Sequence, residues 1–308
     1  MAPPSRSEPG IERSRLNGYA RLPLRRPGER LEDEAWLAAQ RSRADARAVL
    51  LDGEGRAAVR RRRLLRVPLA AVAEEIALLG LAHRGRPVFL AAAGALPPGA
   101  SWQGLREASA TLDPAEASLF AFARALRLWH ERERHCPACG TPTRTIRGGH
   151  ARECPGCGRR QFPRIDPCVI VLIRRAGRCL LVRQPHWPER RFSLVAGFVE
   201  PGETLEEAVR REVREEVGLG LVRVAYHSSQ PWPFPGSLMI AFSAEAGPGR
   251  VLPSAEIAEA RWWTPRALGS ALARGELAVA PPWSVAHRLI RDFVEENGVA
   301  WPGAGAGG

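Results

Sequence analysis

The 308-residue chain has 45% hydrophobic side chains, an ordinary globular proportion, and length for about two domains. Its formal net charge of +12 rests on 45 basic residues, all arginine; positive charge favours nucleic acid or polyphosphate partners, and the abundance of Ala, Gly and Pro fits a coding bias equally well. No apolar run approaches the roughly 20 residues that cross a bilayer, and residues 1–8 lack a signal-peptide core, so the expectation is a soluble cytoplasmic protein without membrane association.

In chain order, residues 1–15 read as disordered, and 16–130 as an N-terminal α+β domain. Within it, 48–52 and 87–93 are predicted strands. Residues 64–68, 70–79 and 102–105 give further strand or short helical pieces. A helix over 113–130 starts from Thr111 or Asp113 as cap. This domain holds no catalytic constellation, and its expected roles are packing, dimerisation and shaping a pocket.

Residues 131–162 carry Cys136-Pro-Ala-Cys139 and Cys154-Pro-Gly-Cys157, 14 residues apart and each followed by glycine. Two such turns aim four thiolates at one tetrahedral zinc. Two disulfides are the competing arrangement, which a cytoplasmic protein disfavours. Four protein ligands leave no open position, so the zinc is expected to be structural. His135 and His150 read as ordinary surface histidines, and Cys168 and Cys179 as small buried apolar residues. Zinc ribbons also serve nucleic-acid-binding proteins, a function of a different class.

Residues 163–298 form a second large domain, with 299–308 a flexible tail. Strands are predicted at 169–173, 179–183, 192–196, 222–227, 238–244 and 260–264, with a closing helix over 285–297. Between them, 197–219 crowds seven carboxylates into one segment. Thr204 and Glu207 form a capping box, Leu205, Ala208, Val209, Val213 and Val217 an apolar face, and Gly218 a C-cap. Glu212 and Glu216 stack four apart with Glu215 beside them. Such a cluster calls for a hard divalent cation, with a solvated acidic face as the alternative. Strands with two helices make the domain a mixed α/β fold.

Downstream, Ser229-Gln230-Pro231-Trp232-Pro233-Phe234-Pro235-Gly236-Ser237 alternates prolines with aromatics. A stiff backbone holding two rings suits stacking of a planar base, with Gln230 and Ser237 positioned to hydrogen-bond it; a proline-rich turn filling a core fits equally.

The spacing of Gly197, Glu203 and Arg211-Glu212-Val213-Arg214-Glu215-Glu216-Val217-Gly218-Leu219 resembles the defining pattern of the Nudix hydrolases, which cleave nucleoside diphosphates linked to another group. The four-cysteine ribbon before it and the Gln-Pro-Trp-Pro-Phe-Pro segment after it are similar to the NADH pyrophosphatase (NudC-type) branch, over residues 134–295. The resemblance implies an α/β (α+β) chain: a Nudix α/β/α sandwich preceded by the zinc ribbon and the N-terminal α+β domain. It implies hydrolysis of NADH and NAD+ to NMN(H) and AMP, removal of NAD caps from RNA, and a homodimer. It implies two or three magnesium or manganese ions on Glu212, Glu215, Glu216, Glu256 and the Ala196 carbonyl, with Glu212, Glu215 and Glu216 as the catalytic set. Gln230, Pro231, Trp232, Pro233, Phe234, Pro235, Gly236, Ser237 and Ala286 would line the dinucleotide pocket. Phe162 stands where relatives carry a base-stacking tyrosine, and Gly149 at a substrate-contacting position that is acidic elsewhere. Arg211 is expected to orient a glutamate or to form a structural salt bridge, and Glu203 to touch the metal or support the helix. A Nudix enzyme for another nucleoside diphosphate such as ADP-ribose remains the alternative within the family.

Overall fold

Three sheets organise the chain in the computed structural model, which describes residues 9–302, the side chains of residues 9–11 excepted. The disorder expected of residues 1–8 and the flexibility of 303–308 lie outside the described residues. Residues 9–15, expected to be disordered, instead form helix α1 (Pro9–Arg15). Residues 299–301 are no free tail either: Val299 and Trp301 pack on the core, and the Trp301 ring sits 4.8 Å from that of His287. The chain divides into an amino-terminal unit, Arg21–Ile165 with Trp232–Gly236, and a carboxy-terminal unit made of the rest.

The amino-terminal unit contains α2 (Glu34–Arg41) and seven strands: β1 (Arg47–Leu51), β2 (Ala57–Arg60), β3 (Arg63–Leu64), β4 (Arg66–Pro68), β5 (Glu74–Leu81), β6 (Pro87–Ala92) and β7 (Ser101–Gln103). Helices α3 (Leu105–Ala108) and α4 (Pro114–Arg132) follow. The sheet runs β3-β2-β1-β6-β5, with β4 on β1 and β7 on β2; β1 and β6 are parallel. Asp113 caps α4 by accepting from the Ala115 N–H at 2.8 Å, and Pro114 occupies the first turn, where its missing N–H costs nothing. Leu37, Ala48, Leu50, Leu78 and Phe89 are buried together in the core.

Three short strands, β8 (Arg144–Ile146), β9 (Ala151–Glu153) and β10 (Arg160–Gln161), make the ribbon sheet. The turn between β8 and β9 packs onto β5. Gly149 lies so close to Ala77 that a Cβ there would collide with it. His150 is therefore no surface histidine: its Nε2 sits 2.7 Å from the Leu78 carbonyl, and burial lowers its pKa. His130, from α4, holds the Gly149 carbonyl at 2.8 Å, and burial pushes its pKa down to about 4.

The carboxy-terminal unit is built on β11 (Asp166–Arg175), whose ten residues alternate between two cores. Val169, Val171 and Ile173 face one; Ile170 and Leu172 face the other. Around it lie β12 (Arg178–Arg183), β13 (Val195–Phe198), α5 (Leu205–Val217), β14 (Leu221–Trp232), β15 (Ser237–Ala246), β16 (Glu259–Trp263), α6 (Pro265–Ala273) and α7 (Val285–Glu296). The sheet order is β14-β15-β11-β12-β16, with β13 also on β11 and β15 parallel to it. Helix α5 covers one face through Ala208, Val209, Val213 and Val217; α6 and α7 cover the other through Leu268, Leu289, Ile290 and Phe293. The result is an α/β/α sandwich. Two helices were expected here, and α6 is a third, capped by Thr264 with Pro265 at its start.

Candidate active site and zinc site

The acidic helix α5 has the ends its residues specify. Thr204 Oγ1 accepts from the Glu207 N–H, Glu207 accepts in return from the Thr204 N–H at 2.8 Å, and Gly218 closes the helix in the left-handed conformation. One turn of helix then carries Glu212, Glu215 and Glu216 on the edge beside β13. Gly197 of β13 admits them: a Cβ there would occupy the same space as the Glu212 carboxylate. This close approach explains a glycine fifteen residues before the glutamate it accommodates.

Arg211 organises the cluster. Its guanidinium meets Glu203 at 2.6 and 3.0 Å, Glu212 at 2.8 Å, Glu215 at 3.0 Å and the Phe198 carbonyl at 2.8 Å. Glu203 also accepts from the Glu200 N–H at 3.0 Å, which makes it a brace for the loop and for Arg211. Glu216 has no guanidinium partner among the described residues and is only 7% exposed. Burial, then Glu212 and Glu256, push its carboxyl up to about 8, against a smaller lowering from the Ala196 N–H. Burial also raises Glu212, opposed by Arg211. The Ser254 N–H donates to the Glu216 carbonyl at 2.9 Å, and this tie holds the loop carrying the exposed Glu256. Ala196, whose carbonyl the resemblance assigns to the metal, is the residue whose N–H meets the Glu216 carboxylate. Carboxylate oxygens crowded in this way are the kind of donor a hard divalent cation takes. The Cys168 thiol, buried nearby, is pushed up to about 11 by burial and by Glu212 and Glu216.

The zinc residues converge more tightly. The four Sγ atoms of Cys136, Cys139, Cys154 and Cys157 lie within 4.8 Å of one another, the one such group of metal-ligating atoms among the described residues. Cys136–Cys157 and Cys139–Cys154 are 3.6 and 3.4 Å apart, near the ~3.8 Å edge of a tetrahedral zinc–thiolate site. The two knuckles repeat one geometry. Gly140 donates to Cys136 O and Gly158 to Cys154 O, both at 2.9 Å with φ +73, which a glycine adopts without strain. The site is a structural zinc site.

The residues assigned to the dinucleotide divide. Gln230 is fully buried, and its side chain is spent on the fold: it donates to Gly18 O at 3.0 Å and Trp283 O at 2.6 Å and accepts from Val285 N at 2.7 Å. It has nothing left for a base. Ala286 is also buried, in the first turn of α7, and Gly149 is sealed under β5. Ser237 starts β15 opposite Asp166. Pro231 and Pro235 are exposed, Trp232, Phe234 and Gly236 half-buried and Pro233 buried. Phe162 is 56% exposed. The Trp232 and Phe234 rings meet edge to face, centroids 5.1 Å apart at 62°, so they present two separate faces, not one flat ledge. Arg106 sits 4.4 Å from the Phe234 centroid and Arg124 5.2 Å, and Arg124 also donates to the Pro233 carbonyl. No local pattern flags these two arginines, more than 100 residues before the ring they contact.

Comparison with known proteins agrees with this architecture. The Nudix domain family model matches residues 164–283, the NADH pyrophosphatase zinc ribbon model 131–162, and the NADH pyrophosphatase-like rudimentary Nudix model 31–129. The NAD-capped RNA hydrolase NudC of Stutzerimonas stutzeri is 44% identical over 60% of this chain and 68% of its own. That of Mycobacterium bovis is 40% identical over 79% of this chain and 84% of its own. The solved structure of a Nudix hydrolase from Nitrosomonas europaea aligns at 22% identity and TM-score 0.44, over 55% of this chain and 95% of its own. With those identities across most of its relatives' length, the chain belongs to the NADH pyrophosphatase branch of the Nudix hydrolases.

Proposed function

We propose that the protein hydrolyses the pyrophosphate of NADH and NAD+ to NMN(H) and AMP, and removes NAD caps from RNA. The observation that carries this reading is Glu216: a buried carboxylate on a complete Nudix helix, its carboxyl pushed up to about 8 by burial and then by the neighbouring Glu212 and Glu256. Glu212, Glu215, Glu216, Glu256 and the Ala196 carbonyl are assigned to hold two or three magnesium or manganese ions. When bound, such ions neutralise the phosphates and lower the pKa of a water molecule. Arg211 fixes Glu212 and Glu215 for that task through charge-assisted hydrogen bonds. Glu215, the most exposed of the three, takes the proton from the attacking water as the anhydride P–O bond breaks. Trp232 and Phe234 supply ring faces for the nicotinamide or adenine.

The test is to incubate the zinc-loaded protein with NADH, NAD+, ADP-ribose and NAD-capped RNA, with magnesium or manganese, and identify the products. NMN(H) with AMP, and 5′-monophosphate RNA, are expected. Turnover of ADP-ribose alone would move the protein to another Nudix substrate, and no turnover of any would overturn the reading.

A further inference from the structure

The hairpin joining β2 and β3 is made of four consecutive arginines. Arg60 pairs with Arg63 across the strands, and Arg61 and Arg62 form the two-residue turn. Both turn residues have left-handed backbones, φ +49 and +60. This is the geometry that Asn-Gly ordinarily fills, because a side chain strains it. Arg60 and Arg63 add a second cost, since like charges directly opposite each other in a ladder repel.

Among the described residues no carboxylate pairs with Arg60, Arg61, Arg62 or Arg63. All four side chains are exposed. Arg66, at the base, is the one neutralised: it pairs with Glu116 at 2.6 Å, and Glu116 also accepts from the Leu64 N–H at 3.0 Å. Arg62 Nε donates to the Thr111 carbonyl at 3.2 Å, a neutral partner. Arg60, Arg61 and Arg63 carry no ion pair among the described residues. With Arg66 they line a groove of about 450 Å³ over buried Leu64 and Leu65. The same unit links this hairpin to the aromatic segment: Thr111 lies five residues after Arg106, whose guanidinium caps Phe234.

We propose that this hairpin is a docking site for the phosphodiester backbone of single-stranded RNA. Strained backbone kept at an unpaired charged tip marks a functional position. Arginine forks match phosphate oxygens two at a time, and a backbone contact needs no sequence reading. The identity of the polymer rests on the function proposed above; the anion-binding groove does not.

The test uses the full zinc-loaded chain and a fluorescent, uncapped 20-nucleotide single-stranded RNA, with anisotropy read over a salt series and NADH turnover read in parallel. Arg60→Ala/Arg61→Ala/Arg63→Ala is expected to weaken RNA binding about tenfold or more and to flatten the slope of log K against log salt by about 2, three contacts at roughly 0.7 each. NADH turnover should stay within about twofold of wild type, as expected of a charge confined to backbone positioning. Arg61→Asn/Arg62→Gly suits the turn better than the native pair, so it should raise the melting temperature while lowering RNA affinity. Unchanged RNA affinity and slope in both variants would overturn the proposal. So would displacement of the RNA by poly-glutamate at equal charge, which would assign the groove to an acidic protein. A wild type that binds RNA through the hairpin yet turns over none of NADH, NAD+, ADP-ribose and NAD-capped RNA would sink the hydrolase reading alone.

Discussion

Burial and the neighbouring Glu212 and Glu256 disfavour the charged form of Glu216. Its carboxyl titrates near 8 in the folded chain and near 4.3 when unfolded, so the folded chain without divalent cations holds a proton that the unfolded chain releases. That contribution is fully present below about pH 4 and is lost as the pH climbs toward 8, at roughly 1 kcal/mol per pH unit. Melting temperatures measured without added magnesium or manganese should therefore fall across that window, and added cation should restore them most at its upper end. A flat profile would mean the carboxylate is solvated. Glu216→Gln should lower kcat by at least about 100-fold, close to 3 kcal/mol, while the cation-free variant melts no lower than wild type at pH 8. A variant with normal turnover, or one that unfolds, would remove Glu216 from the metal site.

At the level of elements, what could be read from sequence is what is local. Helix α5 was legible from end to end, because its cap, its period and its glycines are neighbours in the chain. The zinc knuckles were legible for the same reason, each being one turn repeated. Helix α6 was missed although Thr264-Pro265 announces it, since its nine residues are too few to outweigh the strands before it. Gln230 reads as a polar group in a substrate segment, and only the approach of Gly18 and Trp283 reveals that it is spent on the fold. Gly149 was likewise placed at the substrate, where the sheet leaves it no room. Gly149→Asp should cost about 2 kcal/mol or more, through collision with Ala77 and a strained left-handed backbone, read as a lower melting temperature with zinc bound. Unaltered stability would show the ribbon is not seated on β5. For the aromatic segment, Trp232→Ala or Phe234→Ala should raise KM for NADH by the ~1–3 kcal/mol typical of base stacking, and leave KM for a small pyrophosphate unchanged. Equal effects on both would argue for a packing role.

For the whole molecule, neither the two units nor their membership follows contiguous sequence. The carboxy-terminal unit takes residues through Ala20, and the amino-terminal unit takes Trp232–Gly236 out of the hairpin between β14 and β15. Hydrophobic pattern predicts segments, whereas this exchange depends on long-range contacts such as Arg106 and Arg124 on Phe234, which no window of sequence contains. A fragment of residues 21–165 should consequently melt below the same unit in the intact chain, by calorimetry. An equal melting temperature would show that residues 232–236 add nothing to it.

That borrowed five-residue segment also sets a schedule for the chain as it is made. Residue 236 follows residue 165 by 71 positions. At ribosomal speeds of roughly 5–20 residues per second, the amino-terminal unit waits roughly 4–14 s after its own last contiguous residue for the piece that finishes it. During that interval Arg106 and Arg124 lack their aromatic partner, and the four cysteines are already available to zinc. Metal loading can therefore precede completion of the aromatic surface proposed to meet the dinucleotide.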